Sequence, residues 1–151
     1  MDAKLVWEAR YSVGLDQIDE QHQEFFRILN VMGALADTRD IKRADVLPLL
    51  QSLSDYAFYH FASEEEYLER YRYPGIAFHR RQHDIFRDRI ALFLEEVESS
   101  AADLPSLFRR IVTYAREWLV NHILVEDKKC EAYFKKGNEL PLGLRDAPKG
   151  E

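Results

Sequence analysis

Seven side chains along this chain have the types and spacing of metal donors. They are His22, His60 with Glu64 (H-F-A-S-E), His79 with His83 (H-R-R-Q-H), and His122 with Asp127 (H-I-L-V-E-D). The chain contains 5 histidines, and all of them belong to this set. Neutral imidazole nitrogens and carboxylate oxygens are the donors that suit borderline metals such as iron, manganese and zinc. His60–Glu64 and His79–His83 are spaced i,i+4, so each pair lies on one helix face, one turn apart. Seven donors exceed what one tetrahedral zinc needs and suit two metals that share bridging carboxylates.

The bland alternative has a different weight for each residue. A lone histidine on an apolar stripe is ordinarily a core residue bonded to a carbonyl, and H-x-x-x-H by itself is often coincidence. Glu64 is harder to set aside: a carboxylate on the inner face of a bundle costs several kcal/mol unless paired or metal-bound. No Lys or Arg is expected on the same inner stripes to pair with it. Asp127 has the weakest spacing, rotated about 140° from His122 on an ideal α-helix. It reaches the site only if the helix tightens, carries a π-bulge, or delivers the carboxylate from the next turn. Otherwise it is a solvated acid beside Glu126. Asp16, Asp19, Glu20, Glu65, Glu66 and Glu69 read as surface or capping acids.

Four helices must position these donors. Ile18, His22, Phe25, Phe26, Leu29 and Met32 recur at three- and four-residue steps, the spacing of one helix face. Val46, Leu50, Leu53, Ala57, His60, Glu64, Tyr67 and Tyr71 form a second such run. Ile76, His79, His83, Phe86, Ile90, Phe93 and Val97 form a third, and Leu104, Phe108, Ile111, Ala115, Trp118, His122 and Val125 a fourth. Asp45 is placed as the cap of the second helix with Pro48 in its first turn. Pro74 opens the third after the break at Tyr73-Pro74-Gly75. Ser99-Ser100 stops the third, Asp103 caps the fourth with Pro105 just inside, and Lys135-Lys136-Gly137-Asn138 ends it. Short connections predict an all-α, up-down-up-down antiparallel four-helix bundle over residues 1–137. That domain includes an ordered N-terminal arm carrying Trp7 and Tyr11, and a loosely held C-terminal tail, 138–151, follows it.

Composition narrows the function classes. The 151 residues suit one domain with a sizeable core, and the net charge of −6 gives no clustered basic face for nucleic acid. The single cysteine, Cys130, allows no internal disulfide or CxxC site. No apolar run approaches the ~18 residues of a membrane span, and the start lacks the apolar core of a signal peptide. A cytoplasmic monomer is the expectation. H-R-R-Q-H lacks the glutamate of the zinc-protease motif H-E-x-x-H, and the paired Glu-x-x-His of ferritin-like bundles is absent.

The stretches W-E-A-R-Y-S-V-G (7–14), I-D-E-Q-H (18–22), H-F-A-S-E-E (60–65), Y-P-G-I-A-F-H-R-R-Q-H (73–83) and W-L-V-N-H-I-L-V-E-D (118–127) resemble hemerythrin-like domains. The single-domain bacteriohemerythrins are the nearest type. The resemblance runs from residue 7 to 127, in order and with no ligand missing. It implies a non-haem di-iron site that binds dioxygen reversibly for storage, delivery or buffering. One iron would take His79, His83 and His122, the other His22 and His60, with an open position for dioxygen. Glu64 and Asp127 would bridge them together with a solvent-derived oxo or hydroxo group. Leu68 departs from the methionine of many relatives, and Phe25, Phe61 and Leu68 are the expected apolar wall of the open position.

Five neutral imidazoles and two carboxylates donate modest negative charge, which favours binding of dioxygen over its cleavage. The chain is therefore expected not to be an enzyme, with an oxygen-consuming enzyme as a candidate partner. The alternatives are a di-iron oxidase or peroxidase, a nitric oxide scavenger, or an oxygen or redox sensor acting through a partner.

Overall fold

A computed structural model describes residues 4–99 and 103–136. The arm carries one 3₁₀ turn, Ala9–Tyr11, and leads into α1 (Asp16–Ala36), α2 (Arg43–Arg70), α3 (Ile76–Glu98) and α4 (Leu104–Asn121). The last helix then passes through a π-helical turn, His122–Asp127, into α5 (Lys128–Lys135). The backbone stays in the right-handed helical region across both junctions, with His122 at φ −62°, ψ −44° and Lys128 at φ −65°, ψ −30°. α1 packs on α2 and α4, and α3 on α2 and α4, which closes the ring of an antiparallel four-helix bundle. No helix among the described residues is long and apolar enough to cross a membrane. The tail expected to be loose lies outside the described residues.

The apolar stripes read from the sequence are the ones that meet. Phe25, Leu29, Met32, Val46, Leu50, Leu53, Phe86, Phe93, Phe108 and Ile111 are essentially fully buried. Each such side chain contributes about 1.5–3 kcal/mol by leaving water. The arm is ordered as expected: Trp7 and Tyr11 set their rings edge-on to Phe26 at 5.5 and 5.1 Å. The Leu5 N–H and carbonyl bond the Asn30 side chain at 2.8 Å each. Asp19 is no idle surface acid: it accepts from Ser12 Oγ at 2.5 Å and Val13 N–H at 2.8 Å, pinning the arm to α1.

Two helix starts differ from expectation. Lys42, not Asp45, is the N-cap of α2, and Asp45 reaches back to accept the Lys42 N–H at 3.3 Å. That is the reciprocal half of a capping box. Pro48 therefore lies past the first turn, where it removes one main-chain bond. α3 begins at Ile76 with Gly75 as N-cap, leaving Pro74 outside. α2 ends in a Schellman motif: Tyr73 N–H bonds Leu68 O at 2.9 Å and Arg72 N–H bonds Glu69 O at 3.1 Å. Arg72 pays for that turn with φ +55°, in the left-handed region.

Candidate metal centre

Each helix turns its histidine inward because that position continues its apolar stripe. All seven predicted donors are buried, none exposed by more than 4%. They meet in two groups. Glu64, His79, His83 and His122 offer donor atoms within 4.8 Å of one another, and so do His22, His60 and Glu64.

The two carboxylates join the groups. Glu64 turns Oε1 to His79 Nε2, in close contact, and to His83 Nε2 at 3.4 Å. Its other oxygen, Oε2, lies 3.5 Å from His60 Nε2 and 3.7 Å from His22 Nε2. Asp127 repeats the division: Oδ1 is 3.1 Å from His79 Nε2 and 3.3 Å from His122 Nε2, whereas Oδ2 is 3.2 Å from His22 Nε2. The doubt over Asp127 is resolved by the π-helical turn, whose i→i+5 winding brings residues five apart onto one face.

Electrostatics fit a cation-binding site. Both nitrogens of His22, His60 Nε2, Glu64 Oε2 and both Asp127 oxygens are buried without a hydrogen-bond partner among the described residues. Each such orphan costs about 1–3 kcal/mol unless something binds it. Burial would raise the carboxyl pKa of Glu64, yet the facing His22, His79 and His83 hold it well below the ordinary range. Asp127 is depressed too: His122 and His22 outweigh burial and the like charge of Glu64. Burial would lower His22, but Asp127 and Glu64 raise it to about 9. His60 goes the other way, to about 3, through burial and the neighbouring His22. Without metal, the carboxylates hold protons on imidazoles where cations belong.

A second ring of residues, mostly missed from sequence, orients the imidazoles. Gln21 Oε1 lies 2.7 Å from His60 Nδ1, and Glu65 Oε2 lies 2.6 Å from His83 Nδ1. Both oxygens only accept, so each Nδ1 carries the hydrogen and each Nε2 keeps its lone pair for the centre. Glu65, read as a surface acid, is half-buried between His83 and Arg87, 3.1 Å away. Cys130 Sγ lies 3.7 Å from His79 Nδ1. Phe61 stacks on His83 at 4.0 Å and Trp118 on His122 at 4.5 Å. Gln21 and Glu65 each adjoin a ligand in sequence, a weak signal that helical periodicity assigns to a different face.

Two expectations are corrected. Arg116 is a cation on an inner face, but its guanidinium packs on Gly33, with Nη2 3.4 Å from Asn30 Oδ1. The ion contacts of Glu64 among the described residues are all with histidines. Leu68 does not share a wall with Phe25 and Phe61. Those rings belong to the main core, whereas Leu68 packs in a separate cluster with Cys130 and Phe134.

Comparison with known proteins agrees with this site. The profile of the Hemerythrin HHE cation binding domain matches residues 13–133. A bacteriohemerythrin of Stenotrophomonas maltophilia is 34% identical over 126 residues, covering 83% of this chain and 78% of that protein. One from Methylococcus capsulatus is 30% identical, over 83% of this chain and 93% of the relative. The crystal structure of a wild-type hemerythrin superimposes with a TM-score of 0.74 at 28% identity, covering 86% of this chain and 97% of that one. With matches of this length, the chain belongs to the hemerythrin family.

Proposed function

We propose that this protein holds two non-haem iron ions and binds dioxygen reversibly, for storage, delivery or buffering of oxygen. The observation that carries this reading is the division of Glu64 and Asp127, each with one oxygen toward each histidine group. Two carboxylates so placed suit two cations side by side. His79, His83 and His122 would hold one, His22 and His60 the other, and Glu64 and Asp127 would bridge them, with a solvent-derived oxo or hydroxo group as the remaining bridge. Bound iron supplies the electrons and the coordination position at which dioxygen is taken up.

The chain's own residues do the rest. Gln21 and Glu65 fix the His60 and His83 tautomers, so both rings present lone pairs without reorganising. Phe25, Phe61 and Trp118 surround the imidazoles with apolar rings, which keeps water and protons away. Cys130, a free buried thiol, suits a reducing compartment such as the cytoplasm. The test is metal analysis with optical spectroscopy of the reduced protein before and after air. Two irons per chain and a visible band that appears and disappears over many oxygenation cycles are expected. One zinc per chain, with no iron after anaerobic reconstitution, would sink the reading, and sustained oxygen consumption with a reductant would replace it with an oxidase.

A further inference from the structure

The outer face of α3 carries a half-exposed apolar stripe. Phe78, Ile85 and Leu92 are 53%, 46% and 50% exposed, on the helix that turns His79 and His83 inward. They recur every seven residues, so they share one side with a drift of only ~20° per step, the spacing of a coiled-coil seam. At 1.5 Å per residue the stripe runs ~21 Å. Most charges around it are satisfied within the chain. Arg80 pairs with Glu69 at 2.6 Å, Arg87 with Asp84 at 2.8 Å and Arg110 with Glu96 at 3.5 Å, and Arg89 lies over the Phe93 and Tyr114 rings. Arg81 and Asp88 are different: both are exposed, and neither makes an ion pair among the described residues. Each stands four residues before a member of the stripe, Ile85 and Leu92, so both flank it on the same side.

We propose that this face of α3 is the contact surface of a homodimer, in place of the monomer expected from sequence. Its occupant is α3 of a second copy, running antiparallel about a two-fold axis at Ile85. In that register Ile85 meets Ile85, and Phe78 of each copy meets Leu92 of the other. Matching flanks face each other in an antiparallel pair, so Arg81 of each copy comes beside Asp88 of the other, one residue from level. A parallel pair would set Arg81 against Arg81 and Asp88 against Asp88, like charges that repel. The antiparallel contact is isologous and closes at two chains. One helix face is a small interface, so the dimer dissociates on dilution.

The experiment is sedimentation of the iron-loaded protein over a dilution series. A dimer at high concentration that falls to monomer on dilution is expected. Ile85→Glu places two carboxylates on the axis and should weaken association roughly 30-fold or more. Arg81→Asp and Asp88→Arg should each weaken it about tenfold, and the two together should restore it. Iron and helix content should stay as in wild type, since these side chains face away from His79 and His83. Under mild oxidation Ile85→Cys should crosslink two chains through its own residue. Arg81→Cys, which meets itself only in a parallel pair, should not. Monomer at every concentration overturns the proposal, whether the stripe is bare or serves another protein. So does a dimer that Ile85→Glu leaves intact, or crosslinking of both cysteine variants.

Discussion

Asp127 Oδ1 lies 3.3 Å from His122 Nε2, five residues earlier on the same helix, because the backbone between them is π-helical. In α-helical winding the two would diverge by about 140°. The wider turn sets the Asp127 carboxylate between the two histidine groups, with Oδ1 toward His79 and His122 and Oδ2 toward His22. A π-helical turn is less favourable than α-helix and recurs at functional sites, where something else compensates it. Here the compensation is the charge meeting at the centre.

Removing either carboxylate should therefore break the pairing of the two groups. Glu64→Ala and Asp127→Ala should each lose at least one iron and lower the thermal midpoint of the loaded protein, since metal binding contributes to folding. Glu66→Ala, whose side chain is 75% exposed, should change neither. Iron analysis and calorimetry check this, and full iron content in Glu64→Ala would show that Glu64 is no bridge.

Glu65 should behave as a support for His83. Glu65→Gln weakens the acceptor at 2.6 Å from His83 Nδ1 and leaves Arg87 with less charge to face. Metal affinity should drop about 10- to 100-fold, measured by chelator competition, with helix content unchanged. An unchanged affinity would make Glu65 a surface acid after all.

The metal-free protein should lose stability as pH rises from neutral to about 9. His22 is raised to about 9, so its contribution is fully present below the unfolded value of ~6.5 and disappears as pH climbs through the folded one. His60, depressed to about 3, acts at the acid end: its contribution is present above ~6.5 and fades as pH falls toward 3. Metal replaces the proton on His22, so the loaded protein should lack the alkaline loss. Thermal melts of both forms between pH 6 and 10 decide it, and parallel curves would count against a cationic His22.

Arg72→Gly should stabilise the fold. Arg72 adopts φ +55° at the end of α2, where a side chain costs about 1–2 kcal/mol and glycine little. After the entropy glycine loses on folding, about 1 kcal/mol should remain, a rise of roughly 2–4 °C in melting temperature. Gly14→Ala should do the opposite, being strained at φ +78° and crowded by Glu131. An Arg72→Gly melt below wild type would mean that the arginine makes contacts outweighing its backbone cost.

Much of the site was legible in the chain because rotation about a helix axis is a local property. A period of 3.6 residues places His60 with Glu64, and His79 with His83, on the faces that carry Leu53 and Phe86, whatever the helices later meet. The same period identified the four helices and their approximate ends. Other features depended on tertiary structure. Helix periodicity puts Glu65 about 100° from Glu64, a position that is solvent in one packing and His83 in another. It likewise gives no account of why Asp19 anchors the arm or Arg116 lies buried on Gly33. The division of seven donors into two groups needed the helices' relative rotation and depth, which follow from the packing of all four stripes together. Above all, the π-helical turn at His122–Asp127 breaks the period on which a sequence reading rests. Local preference favours α-helix there, and only the assembled charge centre gives the wider winding its advantage.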